Sequence, residues 1–148
     1  MGGDARRGRA GERAAAAFLR RRGWRVLARN WRGAGGELDL VVARGDTLAF
    51  CEVKTRRDER ALGETLTALQ RVRIVRAAEA FLAGRPDLAG RTARFDLLTV
   101  RASGWRRSVR HLAGAFEPHT AVPRARRGRA QVGGLAPARE GSPTGFSA

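Results

Sequence analysis

Two apolar, β-prone runs separated by Gly45-Asp46 constrain this chain more than any other feature. They read Glu37-Leu-Asp-Leu-Val-Val-Ala-Arg44 and Thr47-Leu-Ala-Phe-Cys-Glu-Val-Lys54. A Gly-Asp pair between such runs predicts an antiparallel hairpin, with Gly45 supplying the positive φ of a II′ turn. Counting outward sets the register. Arg44 faces Thr47, Val41 faces Phe50, Asp39 faces Glu52 and Glu37 faces Lys54. Facing residues share one side of the sheet with Cβ atoms about 5 Å apart. Three acids and one lysine therefore converge at the open end of the hairpin, and like charges so close call for a cation.

The same register assigns the faces. Asp39, Val41, Ala43, Leu48, Phe50, Glu52 and Lys54 share one; Leu38, Leu40, Val42, Ala49, Cys51 and Val53 share the other. Both are mainly apolar, so the hairpin is expected to lie centrally in a sheet covered on both sides. A polar cluster at the rim of such a sheet is where binding sites form.

The chain has 148 residues, enough for one domain with a tail. Thirty basic residues against fourteen acidic ones leave a net charge of +16. That balance favours polyanionic partners, nucleic acid before anionic membrane. No apolar run approaches the roughly 18 residues of a spanning helix, and the N-terminus shows no apolar secretory region. Position 6 is Arg, against myristoylation at Gly2. The single cysteine, Cys51, excludes an internal disulfide and a cysteine-based zinc site. It reads as a small buried hydrophobe, and a cytoplasmic location is expected. Of the thirty basic residues, all but Lys54 are Arg. Arg is a planar fork that keeps its proton, whereas Lys is a compact charge with a tunable pKa. Chance accounts for a single exception as readily as a site that needs an ammonium does.

Along the chain, residues 1–7 are read as a flexible start. Ala10 to Arg22 has helical periodicity ended by Gly23, with Glu12 on the stripe of Ala15, Ala16 and Leu19. A glutamate in a first turn also answers the helix dipole, an equally good account of it. Arg25 to Trp31 reads as a strand, and Asn30, Arg32, Gly33 and Gly35-Gly36 as a flexible connection to the hairpin. Its glycines allow close backbone approach. Arg56 and Arg57 lead out of the hairpin and are placed to grip phosphate; a solvated charge run is the commoner explanation. Glu64 to Leu82 is the longest helical pattern. Leu66, Gln70, Ile74, Ala77 and Phe81 form its stripe, flanked by Leu69, Ala78 and Leu82. Gln70 there either reaches a polar partner or lies at the core's edge. Arg94 to Val100 and Trp105 to Leu112 read as strands joined by Ala102-Ser103-Gly104. Asp96 is expected to answer an arginine, and His111 and His119 lack ligand spacing. From Pro118 onward four of the five prolines and the run Arg124–Arg129 mark a tail unable to bury a core. The basic run adds non-specific affinity for nucleic acid.

Asp39, Glu52 and Lys54 give the spacing D-x12-E-x-K across a hairpin. Carboxylates suit Mg²⁺ or Mn²⁺, whose charge activates water and neutralises a scissile phosphate. Lys54 is placed to orient that water or stabilise the transition state. Glu12 from the first helix is placed to complete the metal shell or to bind a second ion, and the arginines to hold the polyanion. The combination points to phosphodiester hydrolysis. The alternative is a salt-bridge network in which Lys54 and nearby arginines neutralise the acids.

Gly11-Glu12, Arg29-Asn30, Gly36-Glu37-Leu38-Asp39-Leu40-Val41 and Phe50-Cys51-Glu52-Val53-Lys54-Thr55-Arg56 resemble the YraN family. Arg94-Phe95-Asp96 and the ending His111-Leu112 to Ala115-Phe116 do as well. The resemblance spans about residues 8 to 116. It implies the fold of PD-(D/E)xK nucleases, distantly similar to archaeal Holliday junction resolvases. Asp39 then fills the first acidic position, Glu52 the second and Lys54 the lysine, while Glu12 matches the acid of the first helix. Relatives often carry a lysine where this chain has Gln70, and Val where it has Cys51.

The expected architecture is α/β and restriction-endonuclease-like. It comprises a mixed four- or five-stranded sheet around a central β-hairpin, flanked by helices, over residues 8–117, with a disordered basic tail at 118–148. The expected function is a Mg²⁺- or Mn²⁺-dependent endonuclease acting on structured or branched DNA. The rivals are a nucleic-acid-binding protein that kept the fold without cleavage and an RNA- or ribosome-associated basic protein. The expected site comprises Asp39, Glu52, Lys54 and Glu12, with Arg32, Arg56, Arg57 and Gln70 holding nucleic acid. A homodimer is expected by analogy with the resolvases.

Overall fold

The computed structural model describes residues 2–57 and 66–118, with the side chains of residues 2–4 left aside. The elements run α1 (Gly2–Arg21), β1 (Arg25–Gly33), β2 (Gly36–Arg44), β3 (Thr47–Arg56), α2 (Ala68–Ala83), a 3₁₀ turn (Pro86–Leu88), β4 (Thr92–Ser103) and β5 (Arg106–Phe116). The strands form one sheet in sequential order, β1-β2-β3-β4-β5. Every neighbouring pair is antiparallel except β3 and β4, which are parallel and joined through α2. This is a mixed five-stranded α/β sheet with β3 at its centre, compatible with a restriction-endonuclease-like fold. Glu64, the start expected for the second helix, lies outside the described residues, but the helix begins only at Ala68, because the Thr67 side chain caps it there, so Leu66 precedes it. His119 and all of the tail beyond Pro118 also lie outside the described residues.

The central hairpin has the register read from its turn: Arg44 with Thr47, Val42 with Ala49, Val41 with Phe50 and Leu40 with Cys51. Gly45 has φ +55 while Asp46 stays out of the positive region, as a II′ turn requires. The two faces carry separate cores. On one, Val41, Ala43, Leu48 and Phe50 pack with Ile74, Ala77, Ala78 and Phe81 of α2. On the other, Leu40, Val42, Ala49 and Cys51 pack with Ala15, Ala16 and Leu19 of α1. Each helix thus buries one apolar stripe on one side of the sheet.

Several local expectations are corrected. The first helix begins at Gly2, eight residues ahead of Ala10. The segment between β1 and β2 is a tight turn rather than a flexible connection. Gly33 pairs with Gly36 around Ala34 and Gly35, whose φ values of +52 and +74 fit a I′ turn. At Gly36, a Cβ would collide with the backbone carbonyl of Arg73, so the close approach its glycine permits is to α2. Leu69 is 59% exposed because its helical neighbours Arg73 and Arg76 are also on the solvent side. Ser103 pairs with Arg106, which makes Trp105 a turn residue beside Gly104 rather than the start of a strand.

Leu38 departs from the alternation in an informative way. It packs in the core beneath α2, whereas alternation puts it with Leu40 on the face of α1. The reversal falls at Asp39. The flanking pairs Arg29–Leu40 and Trp31–Leu38 set Asp39 opposite Asn30, whose φ of +47 is not extended backbone.

Candidate nuclease site

The β2–β3 ladder ends at Leu40 and Cys51. One step further, the Asp39 side chain takes over: the Val53 N–H donates to Asp39 Oδ2 at 2.7 Å. The Asp39 carboxyl stands against that of Glu52, close enough for the two to share a hydrogen bond when one of them carries a proton. Lys54 Nζ stands 3.2 Å from Glu52 Oε1, both side chains about four-fifths buried. Asp39, Glu52 and Lys54 are therefore one cluster, as the hairpin register requires. Glu37 is not part of it. Because the ladder stops at Leu40, Glu37 turns to Arg32 of β1, 3.3 Å away, instead of facing Lys54.

Glu12 comes from α1. Gly11 beside it is buried, and a Cβ there would run into the Thr55 hydroxyl, so the glycine lets α1 lie directly on β3. From that position the charge of Glu12 acts on Asp39.

Burial first, then the charge of Glu52, pushes the Asp39 carboxyl up; Glu12 adds to the push, and the Val53 N–H opposes it. The net position is about 8. A pair of facing carboxylates that holds a proton near neutral pH is a pair short of positive charge. Their oxygens are the hard donors that Mg²⁺ and Mn²⁺ prefer, and Mg²⁺ commonly uses one or two carboxylates and keeps waters. The residues fit such an ion. Among the described residues no three His, Cys, Asp or Glu side chains gather into a ready-made shell; Asp39 and Glu52 are the pair that would hold the ion, with the charge of Glu12 acting on Asp39.

The pair opens into a cavity of about 500 Å³ lined by Arg32, Gly36, Glu37, Gln70 and Arg73 among others. Gln70 has a second role as the capping box of α2, its Oε1 accepting from Thr67 N–H at 2.8 Å. Arg73 was not singled out in the sequence. Its spacing of three residues from Gln70 puts it on the same helix face, and that was the available signal. Lys54, Arg56 and Arg57 line a second opening of about 360 Å³ with Arg7 and Thr55. The expected nucleic-acid contacts are thus divided: Arg32 and Gln70 on one side of the acidic pair, Arg56 and Arg57 on the other.

A second polar cluster lies behind the sheet centre. Asp96, 1% exposed, takes a bidentate contact from Arg94 at 2.8 and 2.9 Å, His111 Nε2 at 2.7 Å and the Gly114 N–H at 3.0 Å. Burial raises its pKa, but the hydrogen bonds from His111, Arg94 and Gly114 outweigh that and hold it at about 2. The cluster sits where the β4–β5 register shifts between Phe95 and Leu97, and it supplies the partner for a backbone N–H freed there. Asp96 does answer an arginine. Cys51, paired with Asp96 across β3 and β4, is buried and its thiol is pushed well up by that burial, so it packs as a hydrophobe.

The profile of the uncharacterised protein family UPF0102 matches residues 11–100. The chain belongs to this family, the YraN family. A UPF0102 protein of Azorhizobium caulinodans is 49% identical over 111 residues, covering 75% of this chain and 82% of its own. One from Nitratidesulfovibrio vulgaris is 45% identical over 112 residues, with coverages of 74% and 83%. One from Chloroflexus aurantiacus is 44% identical over 101 residues, with coverages of 68% and 83%. The matched span of the UPF0102 profile holds the whole acidic pair, Lys54, Glu12 and α2. No helix among the described residues is long and apolar enough to cross a membrane.

Proposed function

We propose that this UPF0102 protein is a metal-dependent endonuclease that hydrolyses phosphodiester bonds in structured or branched DNA. The supporting observation is the junction of Asp39, Glu52 and Lys54 at the rim of the sheet, with two carboxyls in contact and the chain's one ammonium 3.2 Å from the second. A hard divalent cation, when bound, supplies the positive charge this pair lacks and lowers the cost of deprotonating water. Asp39 and Glu52 would hold it. The Val53 N–H fixes the Asp39 carboxyl in place, and its partial burial weakens screening by water. Lys54 is rigidly placed by Glu52, so its ammonium can meet the extra negative charge that develops on phosphorus oxygens. Arg32, Arg73, Arg56 and Arg57 flank the pair on both sides and give a duplex strand cations along its path.

The test is cleavage of branched, linear and single-stranded DNA with Mg²⁺ or Mn²⁺, comparing the parent with Asp39→Asn and Lys54→Ala. Cleavage lost in both variants, with DNA binding retained, is the expected result. Binding without cleavage on every substrate by the parent would leave only a nucleic-acid-binding protein of the same fold.

A further inference from the structure

The β4–β5 hairpin reaches beyond the rest of the sheet. β3 ends at Arg56, which pairs with Arg101, while β4 continues to Ser103 and turns at Gly104-Trp105. Trp105 at that tip is 84% exposed, the most exposed large apolar side chain among the described residues. A two-residue turn with Gly104 at φ +57 presents it, and the Arg106 guanidinium lies 5.0 Å from its ring. Around it Arg101, Ser103, Arg107 and Ser108 line an open hollow of about 510 Å³. A bare indole ringed by arginines repels a cationic partner, and an apolar one would have to strip water from the guanidiniums around it. It suits a polyanion that also offers a π-face, which is a nucleic acid with unpaired bases.

The sheet also fixes where the tip stands relative to the acidic pair. Lys54 pairs with Thr99, and both strands run in the same direction. From Thr99 to Gly104 the strand advances about 17 Å at ~3.3 Å per residue. Phosphates along one strand of a duplex are ~3.4 Å apart in axial rise, so that reach corresponds to about five nucleotides.

We infer that Trp105 is a stacking platform for an unpaired base of DNA, held by the arginines of the β4–β5 tip about five nucleotides from the phosphate at Lys54. This names the substrate feature for the nuclease reading: a duplex with a single-stranded flap, fork or junction at that distance. It rests on nucleic acid as the partner and is independent of cleavage.

The experiment measures binding of the full-length protein in EDTA to a forked DNA with a single-stranded arm and to a blunt duplex of equal length. Fluorescence anisotropy gives affinity, and 2-aminopurine in the single-stranded arm reports stacking. Trp105→Ala is expected to weaken the fork about tenfold while leaving the duplex within twofold, and to abolish the 2-aminopurine change. Trp105→Phe should retain most of the affinity. Equal losses on the two DNAs, or no loss on either, would overturn the stacking role and mark the tip as a surface for another partner. A parent that binds no DNA overturns this inference and the nucleic-acid reading together. Failure to cleave, with the Trp105 effect intact, overturns the nuclease reading alone.

Discussion

The Val53 N–H and the Asp39 carboxylate are 2.7 Å apart, one step past the last backbone pair of β2 and β3. An acid side chain thus closes the ladder in place of a main-chain carbonyl, and the strand turns over at that point. The Asp39 carboxyl is held at the rim of the sheet against Glu52, and its raised pKa follows from its burial and that contact.

Asp39→Asn should separate stability from activity. The Asp39 carboxyl is raised from an ordinary carboxylate value to about 8, so between pH 4 and 8 the folded state binds a proton that the unfolded state has released. Unfolding free energy then falls as pH rises through that window, and the cost is fully present above pH 8. An asparagine oxygen can still accept from Val53 without the charge. Thermal melts without metal should show the variant more stable than the parent at pH 9 and near it at pH 4. Metal-dependent cleavage should drop at least 100-fold.

The same linkage gives the metal a signature that needs no substrate. Asp39 must lose its proton to hold a cation, so Mg²⁺ or Mn²⁺ should bind more tightly as pH rises from 6 to 9 and should release protons. Calorimetry in buffers of different ionisation enthalpy measures the release, and added Mn²⁺ should raise the melting temperature more at pH 8.5 than at pH 6. Glu52→Gln should remove the proton release and the thermal shift.

Lys54 is expected to matter as a compact charge. Its ammonium pairs with Glu52 in a mostly buried setting, and a guanidinium, longer and planar, would carry its charge to a different point. Lys54→Ala should lower kcat about 100- to 1000-fold, and Lys54→Arg should rescue little of it. Substrate affinity measured in EDTA should change by less than a factor of a few in both.

Much of this was legible in the sequence, and the reasons differ by residue. The hairpin register followed from a two-residue turn because strand alternation has a fixed period of two, and that put Asp39 beside Glu52. Glu12 on the inner stripe of α1 followed from a period of 3.6. What alternation cannot foresee is its own failure: Leu38 changes face where Asp39 lies opposite Asn30 with its φ of +47, and Glu37 is lost to Arg32 because the β2–β3 ladder stops at Leu40. Gln70 broke an apolar stripe for two reasons at once, the capping of α2 and the lining of the cavity. Asp96 could be placed beside an arginine from sequence. Its bond to His111 joins residues fifteen apart across a shifted register, which local pattern does not encode.

Asp96 is a structural acid, and its removal should damage the fold rather than the chemistry. Its pKa is lowered to about 2, so its contribution is complete above the unfolded value near 4 and is lost as pH falls through 2. Asp96→Asn leaves Arg94 and His111 without their shared anion in a buried setting. A loss of about 3 kcal/mol is expected, seen as a lower urea midpoint at pH 7 with an unchanged slope. The gap between parent and variant should narrow in melts run toward pH 2. Cleavage per folded molecule should stay within a few-fold of the parent.

Gly36 ties the rim of the site to α2. A methyl group there meets the Arg73 carbonyl and the Ala77 side chain, backbone and core that cannot swing aside. Gly36→Ala must therefore push β2 and α2 apart where both line the acidic cavity. Overpacking of this kind costs about 1–3 kcal/mol. Because Arg73 and Gln70 move with the helix, the variant should also bind DNA more weakly than its stability loss explains. Gly35→Ala, which meets no neighbour but sits at φ +74, supplies the control. It should be destabilised by backbone strain and keep its DNA affinity. If affinity falls equally in the two variants, the helix contact is not what shapes the rim, and the turn itself positions the strand.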